Sequence, residues 1–136
     1  MSEQERPVLV WLLFEQDDNV LIARRKADAP PFAGQWTLPG EELERGKSPS
    51  DLIAEFAHDQ LDVQIMGDEP FQTLHANDGA QEYAVAVHRV GFEGRPRFRE
   101  SGPYTEVGWA PRGDLMDGTA YPALVELAGY LTGTVR

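Results

Sequence analysis

The sequence predicts one α/β domain in which a mixed sheet is covered by helices. Three observations lead there. The chain has 136 residues, the length of a single domain. Apolar residues make up 41%, enough to bury a real core at this size. Strand-like apolar runs are interleaved with two helical stripes, and neither a repeat nor a linker interrupts them, so residues 1–136 read as one unit.

Residues 8–14 form a continuous apolar run after Pro7, which predicts a strand buried on both faces. Asp17-Asp18-Asn19 supplies turn chemistry and residues 20–23 return as a second strand, so these two runs are expected to form a hairpin. Arg24-Arg25-Lys26 ends it. Pro30-Pro31 and Gly34 mark a loop over residues 27–35, and Trp36-Thr37-Leu38 reads as a short strand halted by Pro39-Gly40. The acidic run 41–44 reads as a solvated loop. The clearest helix follows, with Ser48 or Ser50 as cap, Pro49 in the first turn and Asp51 at the positive end of the dipole. Leu52, Ile53, Phe56, Ala57 and Leu61 make its apolar stripe, opposite Asp51, Glu55, Asp59 and Asp62. Strands are expected around residues 71–76, 82–90 and 106–110. In the middle one Tyr83, Val85 and Val87 alternate with Ala84, Ala86 and His88. A Gly/Pro/Arg loop fills residues 91–103, and a helix over about 122–131 turns Leu124, Val125, Leu127, Ala128 and Leu131 toward a core.

Lys and Arg number 12 against 23 Asp and Glu, a formal charge of −11. So acidic a surface repels a polyanion, and no nucleic-acid partner is expected, although a few local arginines can still hold a small phosphorylated ligand. The longest apolar run falls well short of the ~20 residues of a membrane span. Glu3 and Glu5 precede it, unlike a secretion signal, so no membrane association is expected and the cytoplasm is the expected location. With no cysteine there is no disulfide framework, thiolate zinc site or cysteine nucleophile. His58, His75 and His88 share no ligand spacing, and a zinc site is not expected.

Residues 22–63 carry the chemistry. They give, in order, a strand, Arg24-Arg25, a Pro/Gly loop, Gly34-x-Trp36-x-Leu38-Pro39-Gly40, a loop holding Gly46, and the amphipathic helix. This order resembles the Nudix hydrolase family, and the stretch IARRKADAPPFAGQWTLPG is similar to its mutator-type (MutT-like) nucleotide pyrophosphohydrolases. The likeness is close over about 40 residues and echoes more weakly in RESGPYTEVGWAPRGDL. It implies a Nudix-type α/β/α sandwich that hydrolyses a nucleoside diphosphate linked to another group, using Mg²⁺ or Mn²⁺ held by helix glutamates. Mg²⁺ takes about six oxygen ligands, and such ions neutralise phosphate oxygens and acidify the attacking water. A helix serving them must therefore offer carboxylates one turn apart. The resemblance further implies a nucleotide-like small-molecule ligand met by Arg24, Arg25, Trp36 and Gly40, a metal-binding role for the Gly40 carbonyl, and it is compatible with a homodimer.

The helix departs from the family pattern, which runs Gly, five residues, Glu, seven residues, then R-E-U-x-E-E-x-G-U with U a bulky apolar residue. Anchoring on Pro39-Gly40, Gly46, Ala57, Leu61 and Val63 puts Glu41 at the second glycine, Lys47 at the first glutamate and Glu55 at the arginine. Phe56 then stands at the central metal-binding glutamate, Asp59 and Gln60 at the adjacent pair, and Asp62 at the last glycine. Only Asp59 keeps a carboxylate at a metal position, and losing anionic donors weakens Mg²⁺ binding because little else offsets dehydration of the ion. Slipping the helix by one residue instead gives Glu55 the central position and Asp59 the last, an (i, i+4) pair on one face. Glu41, Glu42, Glu44 and Glu100 are further donors from loops, Glu100 falling where the similar enzymes keep a glutamate near the water. Those enzymes read the purine with an asparagine before a proline; here the comparable residues are Ala120-Tyr121-Pro122.

Arg24 and Arg25 have guanidinium forks suited to phosphate, or else end a solvated strand and pair with Asp28 and other acids. Trp36, like Phe32 and Tyr83, either packs or stacks a base. The preferred reading is a nucleotide-type ligand-binding domain with weak or lost hydrolysis. The alternatives are an active Mg²⁺- or Mn²⁺-dependent pyrophosphohydrolase with Asp59, Glu55 and Glu100 as catalytic acids, and a structural or assembly domain with a vestigial cleft.

Overall fold

The computed structural model describes residues 7–133. Its central strand, β1 (Val8–Leu13), is buried on both sides because alternate residues serve two cores. Leu9, Trp11 and Leu13 enter the core shared with α2 (Val125–Thr132), while Val10 and Leu12 enter the core shared with α1 (Pro49–Phe56). Pleating sends neighbouring side chains to opposite faces, so an unbroken apolar run is what a strand between two helical layers requires.

On one side β1 pairs antiparallel with β5 (Gly40–Glu42), and on the other it runs parallel to β7 (Glu82–Glu93). The edge strand β6 (Gln64–Asn77) completes this mixed sheet in the order β5-β1-β7-β6. A second, antiparallel sheet is built on β3 (Asn19–Arg25), paired along its length with β8 (Tyr104–Pro111) and over short stretches with β2 (Glu15–Gln16) and β4 (Trp36–Thr37). Glu15 ties the sheets together, taking Arg89 of β7 at 2.6 Å and Arg112 at 3.3 Å. The expected mixed α/β architecture is the one found.

The hairpin differs from expectation. Residues 8–13 join the first sheet, and it is β2 that pairs with β3 across a turn where Asp17 and Asp18 take φ values of 52° and 71°. Positive φ at both central residues matches strand twist, and aspartate tolerates it better than a branched residue does. The acidic run also differs: Gly40–Glu42 is a strand that pairs with Leu9, Val10 and Trp11. A Cβ on Gly40 would lie 2.0 Å from the Val10 carbonyl oxygen, so glycine is what lets β5 lie so close. The strand expected over residues 71–76 extends over Gln64–Asn77, because two bulges, at Met66 and Phe71, shift the register without ending the ladder.

Ser48 caps α1, its hydroxyl accepting the Asp51 N–H at 3.1 Å, with Pro49 in the first turn. Leu52, Ile53 and Phe56 are buried, and a π-helical turn, Ala57–Leu61, continues the buried stripe. Asp62 then takes φ 59° and ends the helix in the left-handed region. Among the described residues no helix is long and apolar enough to cross a membrane.

Candidate functional site

The residues aligned with the metal-binding helix lie on β5, on the turn before α1, on α1 and on the π-helical turn. Lys47 lies just before the Ser48 cap, and its Nζ donates to Glu55 Oε1 at 2.5 Å. Glu41 and Glu44 lie within Coulombic reach of the same ammonium, and Glu41 also senses Glu44, Glu55 and Asp59. Partial desolvation raises the Glu41 carboxyl above its ordinary range; Lys47 opposes the rise and the neighbouring acids add to it. The hydrogen bond to Glu55 raises the Lys47 ammonium in turn. Asp59 is exposed and its side chain meets His58 Nδ1 at 3.1 Å.

A residue that no motif or periodicity singles out links these elements. Tyr104, from β8, is fully buried, and its hydroxyl both accepts the Gly40 N–H at 2.9 Å and donates to the Gly40 carbonyl at 3.2 Å. Phe56 packs edge-on against the Tyr104 ring at 6.4 Å, and the Arg25 guanidinium lies over it at 5.6 Å. Burial pushes the phenol up to about 12 from its ordinary 10. A group whose folded value is raised keeps its stabilising effect below its unfolded value and loses it as pH climbs through the folded one. Stability is therefore expected to fall between pH 10 and pH 12, by at most about 3 kcal/mol from this group. Melting temperatures against pH should show that fall in the wild type and a shallower one in Tyr104→Phe.

Arg24 and Arg25 end β3, and their roles diverge. Arg25 spends its guanidinium on the carbonyls of Ala29 (2.8 Å) and Pro30 (3.2 Å), which holds the loop after the strand. Arg24 is half exposed and makes a bond to the Gly34 carbonyl at 3.3 Å and a pair with Glu106 at 3.7 Å, rather than with Asp28. Across the ladder from Arg24 stands Trp36, whose ring meets Tyr121 edge-on at 6.4 Å. Tyr121 lines an open hollow of about 380 Å³ with Gly113, Asp114, Asp117 and Ala120, separate from a cleft of about 350 Å³ lined by residues including Phe32, Leu74, Asn77, Pro122 and Glu126. Phe32 and Tyr83 are themselves core residues.

Glu100 lies in the loop between β7 and β8, which is laid against the π-helical turn. Arg99 Nε donates to the Asp59 carbonyl, the Arg97 N–H to the Leu61 carbonyl at 2.9 Å, and Lys26 Nζ to the Glu100 carbonyl at 2.7 Å. Gln60 sits under Gly102, where an added Cβ would come within 2.5 Å of its Oε1. Glu44, Glu55 and Asp59 thus all lie within Coulombic reach of Glu41, and the Glu100 loop is tied to the π-helical turn. His75 and His88 occupy separate strands, and His88 is held by Asp68 at 3.0 Å.

The divalent ion implied by the resemblance does not fit this donor set. Among the described residues no three carboxylates or imidazoles are grouped so as to hold a metal ion. The Gly40 carbonyl already accepts the Tyr104 hydroxyl, Phe56 has no donor atom, and Lys47 contributes positive charge.

The sequence matches no family model and no curated protein. Solved structures share the fold. The MutT protein of Methanosarcina mazei Go1 superposes with a TM-score of 0.78 over 96% of this chain and 95% of its own, at 16% identity. A MutT Nudix hydrolase of Burkholderia pseudomallei gives 0.70 over 80% and 85%, at 20% identity. The Nudix domain of Shewanella oneidensis NrtR, solved in complex with ADP ribose, gives 0.70 over 98% and 91%, at 18% identity. The fold is that of the MutT-type Nudix hydrolases.

Proposed function

We propose that this chain is a Nudix-fold domain that binds a nucleotide-like small molecule, with hydrolysis of a phosphoanhydride weak or lost. One observation carries the reading: at the box positions expected to hold acids, Lys47 supplies an ammonium paired with Glu55, and Phe56 supplies a buried ring packed on Tyr104. The unslipped alignment behind it is supported by the burial of Ala57, Leu61 and Val63 and by the left-handed Asp62, a backbone state for which glycine is the usual residue. A nucleotide-like ligand is supported by the ADP ribose complex of the NrtR domain and by the Trp36–Tyr121 ring pair across the ladder from Arg24. Arg24, half exposed and loosely held, is the cation offered to phosphate, with Arg25 shaping the loop beside it.

A thermal-shift screen of ADP ribose, ADP and other nucleoside diphosphate derivatives, with and without Mn²⁺, tests this. A ligand present at a hundredfold excess over its Kd should add about 2.7 kcal/mol, with no phosphate or nucleoside monophosphate released. Arg24→Ala is expected to weaken that ligand about tenfold. No stabilisation by any member of the panel would leave the structural or assembly reading. The mutual Coulombic reach of Glu41, Glu55 and Asp59 favours a second reading, an active hydrolase with Asp59, Glu55 and Glu100 as its acids. Turnover in Mn²⁺ that collapses in Asp59→Asn is its expected signature.

A further inference from the structure

We propose that the loop between β7 and β8 holds a second anion site, one that takes a phosphate monoester carried on a flat aromatic group. The site is an open hollow of about 560 Å³ lined by Asp62, Arg97, Phe98, Arg99, Glu100 and Ser101. Arg24, Trp36 and Tyr121 do not line it, so the inference stands apart from the nucleotide reading.

The first support is charge. Arg24, Lys47, Arg89, Arg97 and Arg112 each meet a carboxylate, as expected in a chain with 23 acids. Among the described residues Arg99 meets none: its Nε donates to the Asp59 carbonyl, and its Nη atoms make no hydrogen bond. A guanidinium anchored in this way keeps its Nη edge for phosphate oxygens. Arg97 touches Asp62 by one contact of 3.3 Å, and both side chains are more than half exposed. So exposed a pair is weak, and a doubly charged phosphate can displace it. The second support is a ring. Phe98 is 37% exposed, whereas Phe14, Phe32 and Phe56 are buried in the cores, so its ring is open to stacking beside the two arginines. The third is preorganisation. Residues 97–103 form neither helix nor strand, yet the Arg97 N–H bonds to the Leu61 carbonyl at 2.9 Å and the Gly102 N–H to the Arg99 carbonyl at 2.9 Å. Lys26 Nζ adds a bond to the Glu100 carbonyl at 2.7 Å. A loop already fixed loses less freedom when a ligand arrives. Glu100 is the opposing charge: among the described residues its carboxylate bonds to neither arginine, so it repels a bound anion.

Calorimetric titration at low ionic strength tests this, with phenyl phosphate and inorganic phosphate as the two probes. The proteins are the wild type, Arg97→Gln, Arg99→Gln, Phe98→Ala, Glu100→Gln and Arg45→Ala, the last removing an exposed cation outside the hollow. The wild type is expected to bind phenyl phosphate saturably, and Arg99→Gln to bind it about tenfold more weakly, with a smaller loss in Arg97→Gln. Phe98→Ala should bring phenyl phosphate down to the affinity of inorganic phosphate while leaving the latter unchanged. Glu100→Gln should hold both probes more tightly, and Arg45→Ala should match the wild type. Absence of saturable phenyl phosphate binding would overturn the proposal, as would wild-type affinity in both Arg97→Gln and Arg99→Gln. A loss in Arg45→Ala as large as that in Arg99→Gln would also overturn it, because net charge alone would then explain the binding. These titrations use no nucleoside diphosphate, so this reading and the nucleotide reading can fail separately.

Discussion

Replacing Phe56 by alanine is expected to cost about 3–5 kcal/mol, the range for emptying an aromatic site in a core. The ring is 3% exposed and belongs to the α1-side core with Val10, Leu12, Leu52 and Tyr104, so the vacated space has packed walls on every side. Urea denaturation measures the loss, and a value under about 1 kcal/mol would mean that α1 can settle into the gap. Phe56→Glu is expected to do at least as much harm. A carboxylate there loses its water and gains no partner, and burying an unpaired charge is among the costliest single changes. Placing acids at positions 56 and 60 together is therefore expected to yield a poorly folded chain.

Gly40→Ala is expected to be comparably damaging, at about 3 kcal/mol, because its new methyl would lie 2.0 Å from the Val10 carbonyl oxygen and backbone must move to admit it. Moving β5 also pulls Gly40 off the Tyr104 hydroxyl, leaving a buried polar contact unmade. A melting temperature lowered by roughly 10 °C is the expected measurement. A variant that melts within 2–3 °C of the wild type, a loss of roughly 1 kcal/mol or less, would show that β5 is free to shift away from β1.

Much of this architecture could be read from the residue pattern alone, and the exceptions have physical reasons. Residues 8–14 announced a doubly buried strand because both faces of β1 meet a core. The helix was legible from Ser48, Pro49 and the stripe through Leu61, since caps and burial both act locally. β5 was not, because an edge strand of Gly40, Glu41 and Glu42 needs only its backbone paired while its side chains face water. The full length of β6 was hidden by Gly67 and Pro70, which break a strand in sequence but here pair with Gly91 and His88 beside two bulges. In the candidate site the sequence shows which residue types stand at Lys47, Phe56 and Gln60. What the lysine touches it does not show, because Glu55 lies eight positions away along the chain. Tyr104 was invisible for a similar reason: its partner Gly40 is 64 residues distant, and a single tyrosine after Gly-Pro carries no periodic signal.

That phenol also has a mechanical consequence. By gripping both polar atoms of one peptide residue on the opposite sheet, it ties β8 to β5. The stretches 27–35 and 95–103 are moored differently, through main-chain oxygens met by Arg25, Lys26 and Arg99.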